Sequence, residues 1–87
     1  LKDTITFLKE SGLQVIACHE KTDKLIYDVD FTIPTAIIMG SEDIGISAEY
    51  LRLCNDAVKI PMRGRIASLN VSVASGVVLY EVIRQRL

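Results

Sequence analysis

Residues 60–71 read Ile60-Pro-Met-Arg-Gly-Arg-Ile-Ala-Ser-Leu-Asn-Val71. Pro61 fixes one backbone dihedral and Gly64 frees another, so the chain can leave a strand, wrap round a ligand and re-enter regular structure at Asn70. The stretch combines backbone freedom, polar side chains and a following apolar segment. It therefore predicts a ligand-binding loop between a strand and a helix.

The residues on either side of this loop alternate between strand and helix patterns. Short uninterrupted apolar runs predict buried strands over residues 13–18, 35–39 and 57–60. Helices are predicted over residues 3–11, 48–54 and 70–86. The last segment is rich in β-branched residues, but its length exceeds that of an ordinary strand, and Asn70 is a good N-cap. The alternation predicts an α/β fold in which helices cover both faces of a parallel sheet.

Length and composition indicate one small globular domain or a piece of one. The chain has 87 residues, of which 49% are hydrophobic and 24% are charged, and this balance predicts a packed core. No apolar run is long enough to span a bilayer, and no secretory segment opens the chain, so we expect a cytoplasmic protein. The chain begins without an initiator methionine inside a predicted helix. We therefore expect it to be part of a longer protein.

The cysteines and the single histidine carry no chemical signature. Cys18 and Cys54 lie 36 positions apart without a CxxC pattern, so they predict buried free thiols and no metal site. His19 has no carboxylate partner nearby in the sequence, and we assign it no role.

Charge is unevenly distributed along the chain. The net charge is −1, but residues 1–56 carry −5 and residues 57–87 carry +4. A cationic half that contains the candidate loop suits a polyanionic partner such as a nucleic acid, although a solvated basic face would look the same.

A second candidate loop follows the strand predicted at 35–39. It reads Met39-Gly-Ser-Glu-Asp-Ile-Gly-Ile-Ser47 and matches neither a Walker A motif nor a GxGxxG fingerprint. Ligands of open α/β sheets bind beyond the carboxyl ends of the strands, and both loops start at such ends. Glu42 and Asp43 are closely spaced acids, but two acids alone do not specify acid/base catalysis.

Ser68 and Asn70 bracket the start of the last predicted helix. Either could simply be the helix N-cap. No histidine or cysteine lies near Ser68 in sequence, which argues against a hydrolase triad. Polar positioning by hydroxyl, amide and main-chain groups remains, and this suits a reaction in which a cofactor supplies the reactive group.

Together the two loops resemble the paired motifs of the SpoU (TrmH-like) RNA ribose 2′-O-methyltransferases. The matching stretches are Gly40-Ser-Glu-x-x-Gly-Ile-Ser47 and Ile60-Pro-Met-x-Gly-x-x-x-Ser-Leu-Asn-Val-Ser-Val-Ala74. The resemblance implies a trefoil-knotted SPOUT fold, S-adenosyl-L-methionine as cofactor and a homodimer that binds RNA in a shared cleft. It also implies that residues 1–87 are the C-terminal, cofactor-binding portion of the methyltransferase domain.

The same resemblance assigns roles to individual residues. Main-chain groups would bind the adenosine part of the cofactor at Gly40, Ile60, Met62 and Leu69, and Gly64 would allow close approach. The catalytic centre would be lined by Glu42, Ser68 and Asn70. Arg63 and Arg65 would meet RNA phosphates.

One family motif is missing from this chain. It is an Asn-x-Gly followed by an arginine that activates the ribose hydroxyl, and neither Asn55 nor Asn70 has glycine two residues later. The expected function is methyl transfer to a ribose 2′-hydroxyl of RNA, with ribosomal RNA favoured over transfer RNA. The alternatives are a non-catalytic knotted module for dimerisation or RNA binding, and a flavodoxin-like nucleotide-binding domain, which residues 60–71 argue against.

Overall fold

The computed structural model describes residues 1–40, 46–62 and 70–87. The helices in these ranges are α1 (Lys2–Glu10), α2 (Ala48–Leu53) and α3 (Val71–Arg86). The strands are β1 (Gln14–Cys18), β2 (Thr35–Met39) and β3 (Asp56–Val58), and a short 3₁₀ turn spans Ile26–Asp28. The predicted elements are confirmed with small boundary shifts. The largest shift is in β3, which ends two residues earlier than predicted, although Lys59 still forms a parallel bridge with Leu25.

Polar caps and one glycine set the ends of the helices. The Ser47 hydroxyl accepts a hydrogen bond from the Tyr50 amide at 3.3 Å and caps α2. Asn70 caps α3 in the same way, because its Oδ1 accepts from the Val73 amide at 3.1 Å. Gly12 has a φ of 94° and turns the chain from α1 into β1, a conformation that glycine adopts without strain.

The sheet is parallel, as predicted, and its strand order is β2-β1-β3. β1 is therefore central, and Ile16 pairs with Ile37 on one side and Asp56 on the other. At the other end of the strands, Cys18 pairs with both Met39 and Val58. The carboxyl ends of all the described strands consequently lie side by side at one edge.

Both faces of the central strand are buried. Ile16 belongs to a core cluster with Val58 of β3 and Val78 of α3, so α3 covers this face. Val15 and Ala17 are fully buried and point to the opposite face, because side chains alternate along a strand. That face is covered by α1, which contacts β1 and contributes the fully buried Ile5. The prediction of helices on both faces is confirmed.

The connection that follows β1 wraps round β3. On the inner side of β3, the amide of His19 donates to the carbonyl of Val58 at 2.8 Å. On the outer side, the amide of Lys59 donates to the carbonyl of Lys24 at 2.8 Å. The connection between β1 and the 3₁₀ turn thus contacts both edges of β3. Such a wrap suits a knotted fold, but the trefoil knot also involves the chain beyond Met62 and stays a prediction.

The outward side of α3 is unusually apolar. The exposed large apolar residues of this helix and its C-cap are Val73, Leu79, Tyr80, Ile83 and Leu87. Val77 of the same helix is half-buried and packs against the core. Within the described ranges, no helix has the length and apolar character needed to cross a membrane.

Candidate functional site

The residues directly after the strands form the candidate site, which we call the carboxyl edge: His19, Gly40, Lys59 and Ile60. Because Cys18 pairs with both Met39 and Val58, the next residue of each strand lies in one row. Neighbouring strands are about 4.8 Å apart, so Gly40 and Lys59 lie about 10 Å apart with His19 between them. The two predicted loops therefore open from the same edge and flank the central strand.

The structure brings together several of the predicted cofactor residues. Gly40 follows β2 at once, while Ile60 and Met62 follow β3, and all are partly buried. The other predicted site residues lie outside the described residues: Glu42, Arg63, Gly64, Arg65, Ser68 and Leu69. Their assigned roles stay predictions.

Asn70 has a definite structural role. Its Oδ1 accepts from the Val73 amide and its carbonyl accepts from the Ala74 amide. Both its side chain and its main chain therefore accept hydrogen bonds from the first turn of α3. The residue is exposed at the end of α3 that follows the predicted ligand loop. The N-cap role is confirmed, and a catalytic role of the same side chain stays a prediction.

His19 is the residue of this edge to which no role was assigned. It continues β1 at the centre of the row, and its side chain is partly buried. Its position depends on the strand order, in which β1 lies between β2 and β3. No local sequence pattern reveals that order, so no signal in the chain could have singled out His19.

The cationic half of the chain is divided between the two ends of the sheet. We call the end where the strands begin the amino edge. There the guanidinium of Arg86 donates to the carbonyls of Phe31 and Ile33, at 2.8 and 3.1 Å. Arg84 pairs with Glu81 on the same helix. The expectation of one cationic patch beside the ligand loop is therefore wrong for Arg84 and Arg86, whereas Lys59 does lie at the carboxyl edge.

A buried carboxylate at the amino edge was not predicted. Only 4% of the Glu81 side chain is exposed, and Arg84 donates to it through two nitrogens at 2.7 and 2.9 Å. Hydrogen bonds from Arg84, and then from Gln85, lower the pKa of Glu81. Glu81 is therefore ionised at neutral pH and serves to organise the end of α3.

Both thiols are free, as the sequence predicts, but they are half-buried rather than fully buried. Burial raises the pKa of Cys18 and of Cys54, although the nearby Lys9 opposes the shift at Cys54. A raised pKa keeps a thiol protonated at neutral pH, where it is a poor nucleophile. Neither cysteine is a candidate for covalent catalysis.

The sequence model of the SpoU rRNA Methylase family matches residues 1–80. The chain belongs to this family. The predicted family membership is thereby confirmed.

Relatives with named activities are similar over the whole chain. A tRNA (guanosine(18)-2′-O)-methyltransferase of Thermus thermophilus is 48% identical over 100% of this chain and 45% of its own length. A 23S rRNA (guanosine-2′-O-)-methyltransferase of Vibrio parahaemolyticus is 42% identical over 100% of this chain and 35% of its own length. The chain thus spans less than half of these relatives.

Solved structures share the fold. The A. aeolicus TrmH/SpoU tRNA modifying enzyme has a TM-score of 0.87 and 38% identity, covering 97% of this chain and 43% of its own. The SpoU methyltransferase AviRb from Streptomyces viridochromogenes, solved in complex with AdoMet, has a TM-score of 0.83 and 36% identity. That match covers 97% of this chain and 34% of AviRb. The parallel α/β fold of this chain is the fold of SpoU methyltransferases.

Proposed function

We propose that this chain is the cofactor-binding portion of an S-adenosylmethionine-dependent RNA ribose 2′-O-methyltransferase. One observation carries the proposal: two family motifs that are distant in sequence open from one carboxyl edge, where parallel α/β sheets bind ligands. A relative with the same fold was solved with AdoMet bound, which supports the choice of cofactor. We further propose that residues 1–87 correspond to the C-terminal portion of the methyltransferase domain. We also propose that the protein acts in the cytoplasm.

The described residues of the carboxyl edge fit an adenosine group. Ile60 and Met62 are partly buried apolar residues that can flank adenine, and Gly40 has no side chain to obstruct it. Main-chain groups at the strand ends can form hydrogen bonds with the ribose, as is usual for sites that combine apolar walls with a few polar contacts. By its position, His19 would lie in the floor of the same pocket.

The cofactor supplies the methyl group, and the protein supplies orientation and exclusion of water. Asn70 lies where α3 begins, next to the motif that would bind the cofactor. We propose that it helps to orient the reacting groups together with Glu42 and Ser68. Arg63 and Arg65 would hold phosphates of the RNA beside them.

The class of RNA is left to experiment. The family resemblance favoured ribosomal RNA, but the transfer RNA enzyme is the more identical of the two relatives, at 48% against 42%. Methylation assays should therefore offer both RNAs to the full-length protein. An unchanged 2′-hydroxyl in both, with intact cofactor binding, would favour the alternative of a non-catalytic RNA-binding or dimerisation module.

The outward side of α3 supports a homodimer. A cavity of about 220 Å³ lies beside it between Tyr27, Val77 and Tyr80, and apolar residues extend from it along the helix. Exposed apolar area of this kind is typical of protein interfaces. Tyr80→Glu, which places a charge in this surface, should convert the dimer to monomers in analytical ultracentrifugation. A wild-type protein that is monomeric at micromolar concentration would contradict the dimer.

Calorimetric titration of the full-length protein with S-adenosylhomocysteine tests the cofactor directly. We expect binding, and we expect Gly64→Val to abolish it because a branched side chain would occupy the close approach of the backbone. A folded wild-type protein that does not bind S-adenosylhomocysteine would overturn the proposed function.

A further inference from the structure

β3 is an edge strand of the sheet, but its outer side is covered. The hydroxyl of Thr22 donates to the carbonyl of Ala57 at 3.1 Å. Two residues further along β3, the amide of Lys59 donates to the carbonyl of Lys24 at 2.8 Å, and its carbonyl accepts from the amide of Ile26 at 3.0 Å. Residues 22–26, which we call the wrapping segment, thus act as a short neighbouring strand.

This pairing determines which way the next residue of the chain faces. Main-chain groups of successive residues in a strand point to opposite sides. Lys59 faces outward to the wrapping segment, and Val58 faces inward, where its carbonyl accepts from His19. The same alternation, continued by one residue, points the amide and carbonyl of Ile60 inward. There they lie beyond the end of β1 and face the centre of the carboxyl edge.

Two side chains fasten the wrapping segment to β3. One is Thr22, through its bond to Ala57, and the other is Lys24, which forms an ion pair with Asp56. Main-chain pairing can form with many sequences, whereas these two contacts depend on the side chains present. They also lie on the segment that sets the direction of Ile60.

We propose that Thr22 and Lys24 are positioning residues that hold the wrapping segment against β3, so that the main chain of Ile60 faces the nucleoside cofactor. Neither residue needs to touch the cofactor. This inference rests on the proposed function, because it gives a role to contacts behind the same site.

A pair of threonine variants of the full-length protein tests the inference. Thr22→Val removes the hydroxyl behind the carboxyl edge. Thr35→Val removes a hydroxyl at the amino edge, where Thr35 donates to the carbonyl of Ile33 at 2.8 Å and accepts from the side chain of Gln14 at 2.8 Å. Both variants should lower the melting temperature. Well below that temperature, Thr22→Val should weaken S-adenosylhomocysteine binding about five- to tenfold, the equivalent of one lost hydrogen bond, while Thr35→Val leaves affinity unchanged. Thr22→Ser should restore affinity.

A charge exchange provides a second, independent readout. Lys24→Asp and Asp56→Lys should each weaken binding about two- to fivefold, and the double variant should recover most of the affinity. Equal affinity in wild type, Thr22→Val and the single charge variants would overturn the inference and leave the proposed function intact. Failure of the folded wild-type protein to bind S-adenosylhomocysteine would overturn both.

Discussion

The two ends of the sheet are held by different kinds of contact. At the amino edge, side chains bind main-chain groups: Gln14 donates to the carbonyl of Asp30 at 2.7 Å, and Gln85 accepts from the amide of Phe31 at 2.7 Å. At the carboxyl edge, the described contacts round β3 are mostly between main-chain groups, as with His19 and Lys59. Side-chain contacts with main-chain groups fix the amino edge, whereas the carboxyl edge is fixed by main-chain pairing together with the contacts of Thr22 and Lys24.

α3 connects the two ends. It begins at Asn70 beside the carboxyl edge, and its last turn contacts the segment that leads into β2. If the comparison is correct, changes at the amino edge should lower stability and leave binding unchanged, while changes at the carboxyl edge should weaken binding or catalysis, whatever their effect on stability.

Gln85→Leu should give the largest loss of stability. The Gln85 amide accepts from the Phe31 amide at 2.7 Å and donates to the Val29 carbonyl at 2.9 Å, so leucine leaves two main-chain groups without these partners. We expect a loss of about 2–3 kcal/mol in urea unfolding, from unsatisfied polar groups. Ser72→Leu, at an exposed position of the same helix, is the control for added leucine and should be nearly neutral. Weaker S-adenosylhomocysteine binding by folded Gln85→Leu would break the proposed separation of the two edges.

Two variants of Asn70 can separate helix capping from catalysis and so test the comparison of the two edges. Asn70→Ala should lose about 1 kcal/mol of stability with the N-cap, whereas Asn70→Asp retains a good cap and suits the helix dipole. If Asn70 orients reacting groups, the aspartate variant should keep its melting temperature and lose single-turnover methylation. Full activity in that variant would leave Asn70 with the cap alone, and Ser68 would become the next candidate.

Glu81, at the amino edge, should make the free energy of unfolding depend on pH. Its pKa is lowered in the folded protein by Arg84 and Gln85, so its stabilising contribution is present above the unfolded pKa. That contribution is lost as pH falls through the folded pKa. Urea midpoints measured from neutral to acidic pH should therefore fall more steeply for wild type than for Glu81→Gln.

The titration of Asp30 does not interfere with this measurement. Its pKa is also lowered, by hydrogen bonds from the Thr32 side chain and backbone, but it is unchanged between the two proteins, so its effect cancels. Parallel pH profiles for wild type and Glu81→Gln would show that the Glu81 contacts do not stabilise the fold.

Local patterns in the sequence were sufficient for the elements and for the family. The apolar run at 35–39 is β2 as observed, Asn70 caps the helix that follows it, and the two motifs identified the SpoU family. These features depend on neighbours within a few residues, where propensity and capping act. The same patterns located Gly40 directly after β2, whereas Ile60, predicted as the last residue of β3, lies two residues beyond its observed end.

The tertiary structure alone decided which strands and side chains are neighbours in space. The strand order puts His19 between Gly40 and Lys59, the wrapping segment covers the outer side of β3, and Gln85 meets Phe31 across 54 positions of sequence. Local periodicity reports which residues are buried but not which strands become neighbours. The sequence by itself therefore determined the elements, their caps and the motifs, while long-range packing decided the order of the strands and so the arrangement of the site.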